Sequence, residues 1–142
     1  MAVGKSGVSA NGYSGSTSLT TNTWYHIVAM WDTSGRHEIY VNGISDLNVV
    51  DPSFKSINST SPTNLCIGSQ NNSSRFMNGS IDDVKFYNRK LSPTEILSLY
   101  NESNPIANNL VSKYSFDNQN ADDEINNNDG VITNASWTAD RF

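Results

Sequence analysis

The chain has 142 residues, of which 36% are hydrophobic and 16% charged, and its formal net charge is −5. That length suits one domain, and the acidic balance without a basic stripe speaks against a nucleic-acid partner. No apolar run approaches the ~20 residues that span a bilayer as a helix, so no membrane insertion is expected.

The polarity comes from Asn, Ser, Thr and Gly rather than from charge. Asn and Gly are poor in helix interiors and all four favour turns, so many short strands are expected. Three Trp, six Tyr and five Phe exclude a disordered composition. Residues Met1 to Ala10 lack the apolar stretch of a signal peptide.

Residues 1–22 read as loop, with one weak strand near Tyr13. Trp24 to Trp31 read as the strongest strand. Trp24, His26, Val28 and Met30 alternate with Tyr25, Ile27, Ala29 and Trp31, so both faces are apolar and a doubly covered central strand is expected. Asp32-Thr33-Ser34-Gly35 is a turn. His37 to Val41 form the next strand, Asn42-Gly43 is a type I′ hairpin signal, and Ile44 to Val50 return. Asp51-Pro52 breaks the pattern, and residues 52–62 read as a polar loop. Residues 63–68 read as a strand, Gln70 to Arg75 as a loop and Ile81 to Tyr87 as a strand.

A short helix is expected near 92–101. Ser92 is its N-cap, Pro93 its first residue, and Glu95 completes a capping box. Ile96, Leu97, Leu99 and Tyr100 supply the apolar face, and Asn104-Pro105 follows the end. Leu110 to Asp117 then read as a half-buried strand, with Leu110, Tyr114 and Phe116 on one face. Residues 118–130 form an acidic, Asn-rich loop, and Val131 to Trp137 carry one or two short strands. Short strands between turn signals read as an all-β, antiparallel β-sandwich.

Chemistry-bearing residues are sparse. Cys66 is the sole cysteine, which excludes an internal disulfide and argues against a cysteine zinc site; its apolar neighbours suggest a buried thiol. His26 reads as a structural histidine and His37 as solvent-facing. Glu38, Glu95, Glu102 and Glu124 have no partner at strand spacing, and Asp82 and Asp83 point to opposite faces, so the paired carboxylates of a glycosidase are missing. No catalytic residue is assigned. Asp122, Asp123, Asn127, Asn128 and Asp129 crowd one loop with oxygen donors of the type Ca²⁺ takes, although not at EF-hand spacing. Tyr13, Tyr25, Tyr40, Trp31 and Trp137 could stack on sugar rings, while Trp24 and Trp31 read as core. Sequons at Asn58, Asn72, Asn78, Asn101 and Asn134 are expected by chance in so Asn- and Ser-rich a chain.

Six segments resemble the laminin-G-like, concanavalin A-like jelly roll. They are Trp24/His26, Tyr40-Val41-Asn42-Gly43, Ile67-Gly68, Gly79 to Val84, Tyr87 to Ser92, and Glu95-Ile96. Tyr114-x-Phe116-Asp117, Gly130, Trp137 and Asp140-Arg141-Phe142 resemble the opening of the same fold. Residues 1–104 thus resemble the family's C-terminal part and 105–142 its N-terminal part, as in a permuted module or a cut across a tandem repeat. The reading is a single sandwich module over 1–142 that lacks some inner strands. Self-association by strand exchange would repair that gap, as would residues 1–22 filling it. The resemblance implies a non-catalytic recognition module for glycans or extracellular proteins, secreted or at a cell surface. A purely structural spacer in a tandem array is the alternative, and a glycoside hydrolase the third reading. It also adds to the Ca²⁺ reading of the acidic loop, since laminin-G-like domains often hold Ca²⁺ at the sandwich rim: Asp122, Asp123 and Asp129 would hold it, with Asp82 or Asp83 joining, and a solvated turn is the alternative.

Overall fold

The computed structural model describes residues 13–52, 65–69, 76–102 and 107–138. The expected loops at 53–62 and 70–75, the start of a strand at 63–64, linker residues 103–106 and Asp140-Arg141-Phe142 lie outside them. Two compact units form, Met1–Ser61 with Lys90–Ile106, and Pro62–Arg89 with Ala107–Phe142. The Trp24 segment falls in the first and the Tyr114 segment in the second.

In the first unit, β1 (Ile27–Trp31), β2 (Arg36–Val41) and β3 (Ile44–Val50) form an antiparallel sheet in that order. Asn42 and Gly43 both take positive φ, 50° and 78°, as a type I′ turn demands. The expected hairpin is therefore present at the expected residues. A bulge between Ile39 and Tyr40 sets Asp46 outside the register. Asp46 then accepts from Ser16 Oγ (2.8 Å), Thr17 N–H (2.9 Å) and Thr17 Oγ1 (2.7 Å), which ties residues 13–17 to β3. Tyr13 forms no strand; its hydroxyl donates to Asp51 at 2.8 Å and its ring meets the half-buried His37 at 5.5 Å. His37 is thus not solvent-facing.

The α1 helix (Pro93–Tyr100) starts as the residues dictate. Glu95 N–H donates to Ser92 Oγ, and Ser92 N–H donates to Glu95 Oε2 at 2.8 Å. Ile96 is fully buried, whereas Leu97 and Tyr100 stay partly exposed, so the apolar face is narrower than the sequence suggests. Leu91 N–H donates to Met30 Sδ, and the Tyr100 ring lies 6.0 Å from that of His26. These contacts bring the helix and its lead-in to the Met30 side of the sheet.

The strand order corrects one expectation. Among the described residues β2 is central and β1 is an edge. The ladder also starts at Ile27 rather than Trp24, because the Asn42 side chain takes the His26 N–H at 2.9 Å. Trp24 and Trp31 are 47% and 53% exposed rather than core.

In the second unit, β4 (Val84–Tyr87) pairs antiparallel with β5 (Leu110–Tyr114). Residues 65–69 and 131–138 form no strand, against expectation, and Val131 is 92% exposed. Among the described residues these segments pair with no strand, and composition alone does not make a ladder. Cys66 is half-buried. Phe116 turns out of the strand at φ 61°, and its ring stacks on Tyr114 at 6.2 Å and meets Trp137 at 6.1 Å.

Candidate functional site

Residues 20–25 turn ahead of β1. Asn22 takes a left-handed φ of 59°, which Asn tolerates better than most residues. The turn is held by hydroxyls. Thr20 N–H donates to Tyr25 Oη at 3.2 Å, Thr20 Oγ1 lies 3.0 Å from Tyr25 Oη, and Thr23 Oγ1 lies 3.1 Å from Thr20 Oγ1. The hydrogen bond to the Thr20 hydroxyl, assisted by the Thr20 N–H, lowers the Tyr25 phenol below its ordinary pKa. Trp24 lies between Thr23 and Tyr25 in the chain and keeps about half of its surface in solvent. An exposed indole in a hydroxyl-rich turn suits a ligand that is apolar on one face and hydroxylated at its edges, such as a pyranose.

The other aromatic candidates are less available. Tyr40 is buried, Tyr13 leans on His37 and Trp137 on Phe116. Trp31 is exposed, but on β1. The sequence pattern missed Trp24 because strand alternation was extended across residues 24–26. The Thr-Thr-Asn-Thr run at 20–23 was the available signal for a turn.

Two carboxylates do approach one another in the first unit. Lys90 Nζ lies 2.7 Å from Glu38 Oε2 and 3.4 Å from Asp32 Oδ2. Glu38 is buried and also accepts from Asn48 Nδ2 at 3.2 Å. A hydrogen bond from the Ser34 hydroxyl, helped by the Ser34 and Arg36 N–H groups and Lys90, holds Asp32 at about 2. A glycosidase acid needs a carboxyl whose pKa is raised. Asp32 is shifted the opposite way, and the ion pairs of Asp32 and Glu38 with Lys90 clamp the lead-in of α1 to the sheet.

The acidic loop is built onto β5. Glu124 N–H donates to Lys113 O at 2.9 Å, and Ser115 N–H donates to Glu124 Oε1 at 3.2 Å. Asp123 is buried and accepts from Lys113 N–H (3.1 Å), Ile125 N–H (3.1 Å) and Asn128 Nδ2 (3.0 Å). Asp129 Oδ1 accepts from Asp123 N–H at 3.0 Å, and exposed Asp122 accepts from Asn120 Nδ2 at 2.6 Å. Asn128 O accepts from Tyr114 Oη at 2.6 Å. Asp82 accepts from its neighbour, the Asp83 N–H, at 3.0 Å. Among the described residues no three His, Cys, Asp or Glu come together as metal ligands. Asp123 already accepts from N–H donors at both of its oxygens, so a cation at this carboxylate would compete with these hydrogen bonds.

A laminin-G-type model of the concanavalin A-like lectin/glucanases superfamily matches residues 1–97. The chain belongs to that superfamily. Neither a curated protein nor a solved structure matches it. The match takes in the Trp24 turn, the three-stranded sheet and most of α1, and it ends before β5 and the acidic loop. Antiparallel sheets with one short helix among the described residues agree with the concanavalin A-like β-sandwich class. No helix of the described residues is long and apolar enough to cross a membrane.

Proposed function

We propose that the chain is a non-catalytic recognition module that binds a glycan at the Trp24 turn. The observation that carries this reading is the half-exposed indole of Trp24 in the turn that also carries the hydroxyls of Thr20, Thr23 and Tyr25. Stacking on the indole supplies an apolar contact, and the hydroxyls supply donors and acceptors for a sugar's edge. Membership of a superfamily described by lectins and glucanases supports a carbohydrate over other ligands. The clamped Asp32–Lys90–Glu38 cluster supports recognition over hydrolysis. An extracellular or cell-surface setting goes with this reading, and an extracellular protein is the other ligand it admits.

A glycan array with the full chain tests it. A reproducible hit, competed by the free sugar and lost in Trp24→Ala, supports the proposal. Silence across the array favours a structural spacer. A hit that survives Trp24→Ala places recognition elsewhere on the chain.

A further inference from the structure

The edge of β1 differs from the outer edges of β3 and β5. Residues 13–17 hang on Asp46 in β3 and Asp51 just past it, and side chains of the acidic loop engage β5. The β1 sequence Ile-Val-Ala-Met-Trp carries no charge, no Pro and no Gly. Natural edge strands are usually blunted by such residues or by a covering segment. Ala29 and Trp31 are exposed there.

Backbone parity decides which groups face outward. Asn42 N–H donates to His26 O at 2.8 Å, and Asp32 N–H donates to Arg36 O at 3.1 Å. With the pairs Val28↔Tyr40 and Met30↔Glu38 between them, the even-numbered residues of β1 spend their N–H and C=O groups on β2. Ile27, Ala29 and Trp31 therefore direct theirs to the outer edge, which pairs with no other strand among the described residues.

We propose that this edge pairs antiparallel with β1 of a second copy of the chain, about a two-fold axis through Ala29. In that register Ala29 faces itself, and Ile27 faces Trp31 of the other copy in both directions. All of these are hydrogen-bonded pairs, so the outward groups of both copies find partners together. Ile27 against Trp31 is a β-branched–aromatic pair of the kind that stabilises sheets. On the other face Val28 meets Met30. Every cross-strand pair is apolar, so the net charge of −5 puts no like charges opposite one another at the seam. A two-fold pairing uses up the edge on both sides and closes at a dimer. The pairing does not depend on glycan binding at the Trp24 turn, and its test is separate.

Sedimentation or light scattering on the full chain should give twice the 15.6 kDa of one copy at micromolar concentration. Ala29→Lys sets two ammonium groups opposite each other and should halve that mass with an unchanged circular dichroism spectrum. In a Cys66→Ser background, Ala29→Cys should oxidise to a disulfide-linked dimer, because directly opposed hydrogen-bonded residues lie about 5.5 Å apart at Cα, within disulfide reach. Thr33→Cys in the adjacent turn should not. A wild-type chain that stays monomeric throughout overturns the proposal, even if it binds another protein's strand. So does a dimer that survives Ala29→Lys, or cross-linking at Thr33 equal to that at Ala29.

Discussion

Asp123 is buried yet ionised, and its neighbours explain both. Burial pushes its carboxyl pKa up, but the N–H groups of Ile125 and Lys113, with the Ser112 and Asn128 side chains, outweigh burial and hold it well below the usual carboxylate range. The loop composition that suggests calcium in the sequence is therefore used to build backbone-like pairing onto β5. Asp123→Asn turns one acceptor oxygen into a donor that faces N–H groups. It should lower the melting midpoint clearly more than Asp122→Asn, which alters an exposed residue; equal shifts would count against the hub. Added Ca²⁺ should leave the midpoint of the wild type unchanged. A rise on adding Ca²⁺ would mean that the loop gives up these hydrogen bonds to a cation. At Trp24 the expectation is reversed, since an exposed ring can be removed with little change in melting.

Among the elements, those with local chemical signatures were legible in advance. Ser92, Pro93 and Glu95 specify the start of α1 through side-chain-to-backbone bonds that need no tertiary context, and Asn42-Gly43 does the same for its turn. Ser92→Ala should cost about 1 kcal/mol in chemical denaturation. Ile96→Ala empties a fully buried position and should cost about 2–5 kcal/mol, and a value near zero would show that α1 does not pack as described. What depends on distant partners was not legible. Sheet order, the exposure of Trp24 and Trp31, and the coil at 65–69 and 131–138 follow from pairings that alternation does not encode. The bulges were also hidden. The β2–β3 and β4–β5 pairs each have one, and each leaves an unregistered residue that holds a loop: Asp46 takes Ser16 and Thr17, and Val111 O accepts from Asn126 Nδ2 at 2.6 Å. Gly15 leaves room for the first of these clasps, since a Cβ there would lie 1.7 Å from Asp46 Oδ2. Gly15→Ala should therefore free residues 13–17, read as faster amide exchange at Thr17.

For the whole molecule, the acidic groups set the pH response. Asp32, Asp46 and Glu124 all have lowered pKa values, the first held at about 2. A carboxyl lowered on folding adds stability that is complete above its unfolded pKa of about 4 and disappears as pH falls through the native value. Lys90 and Lys113 are raised by their bonds to Glu38 and Glu124. Their contribution is complete below about 10.5 and is lost only as pH climbs past their native values. Melting midpoints should stay flat across neutral pH and fall steeply below about 4. A midpoint that rises on acidification would contradict the charge arrangement.

The recognition reading rests on the Trp24 turn, and the three tryptophans give it a direct readout. Titrating an isotope-labelled chain with array-selected glycans and following the indole N–H signals separates Trp24 from Trp31 and Trp137. The account predicts that a bound glycan shifts the Trp24 signal and the Thr20 and Tyr25 amides while Trp137 stays in place. A glycan that binds and leaves the Trp24 signal unmoved would contradict it.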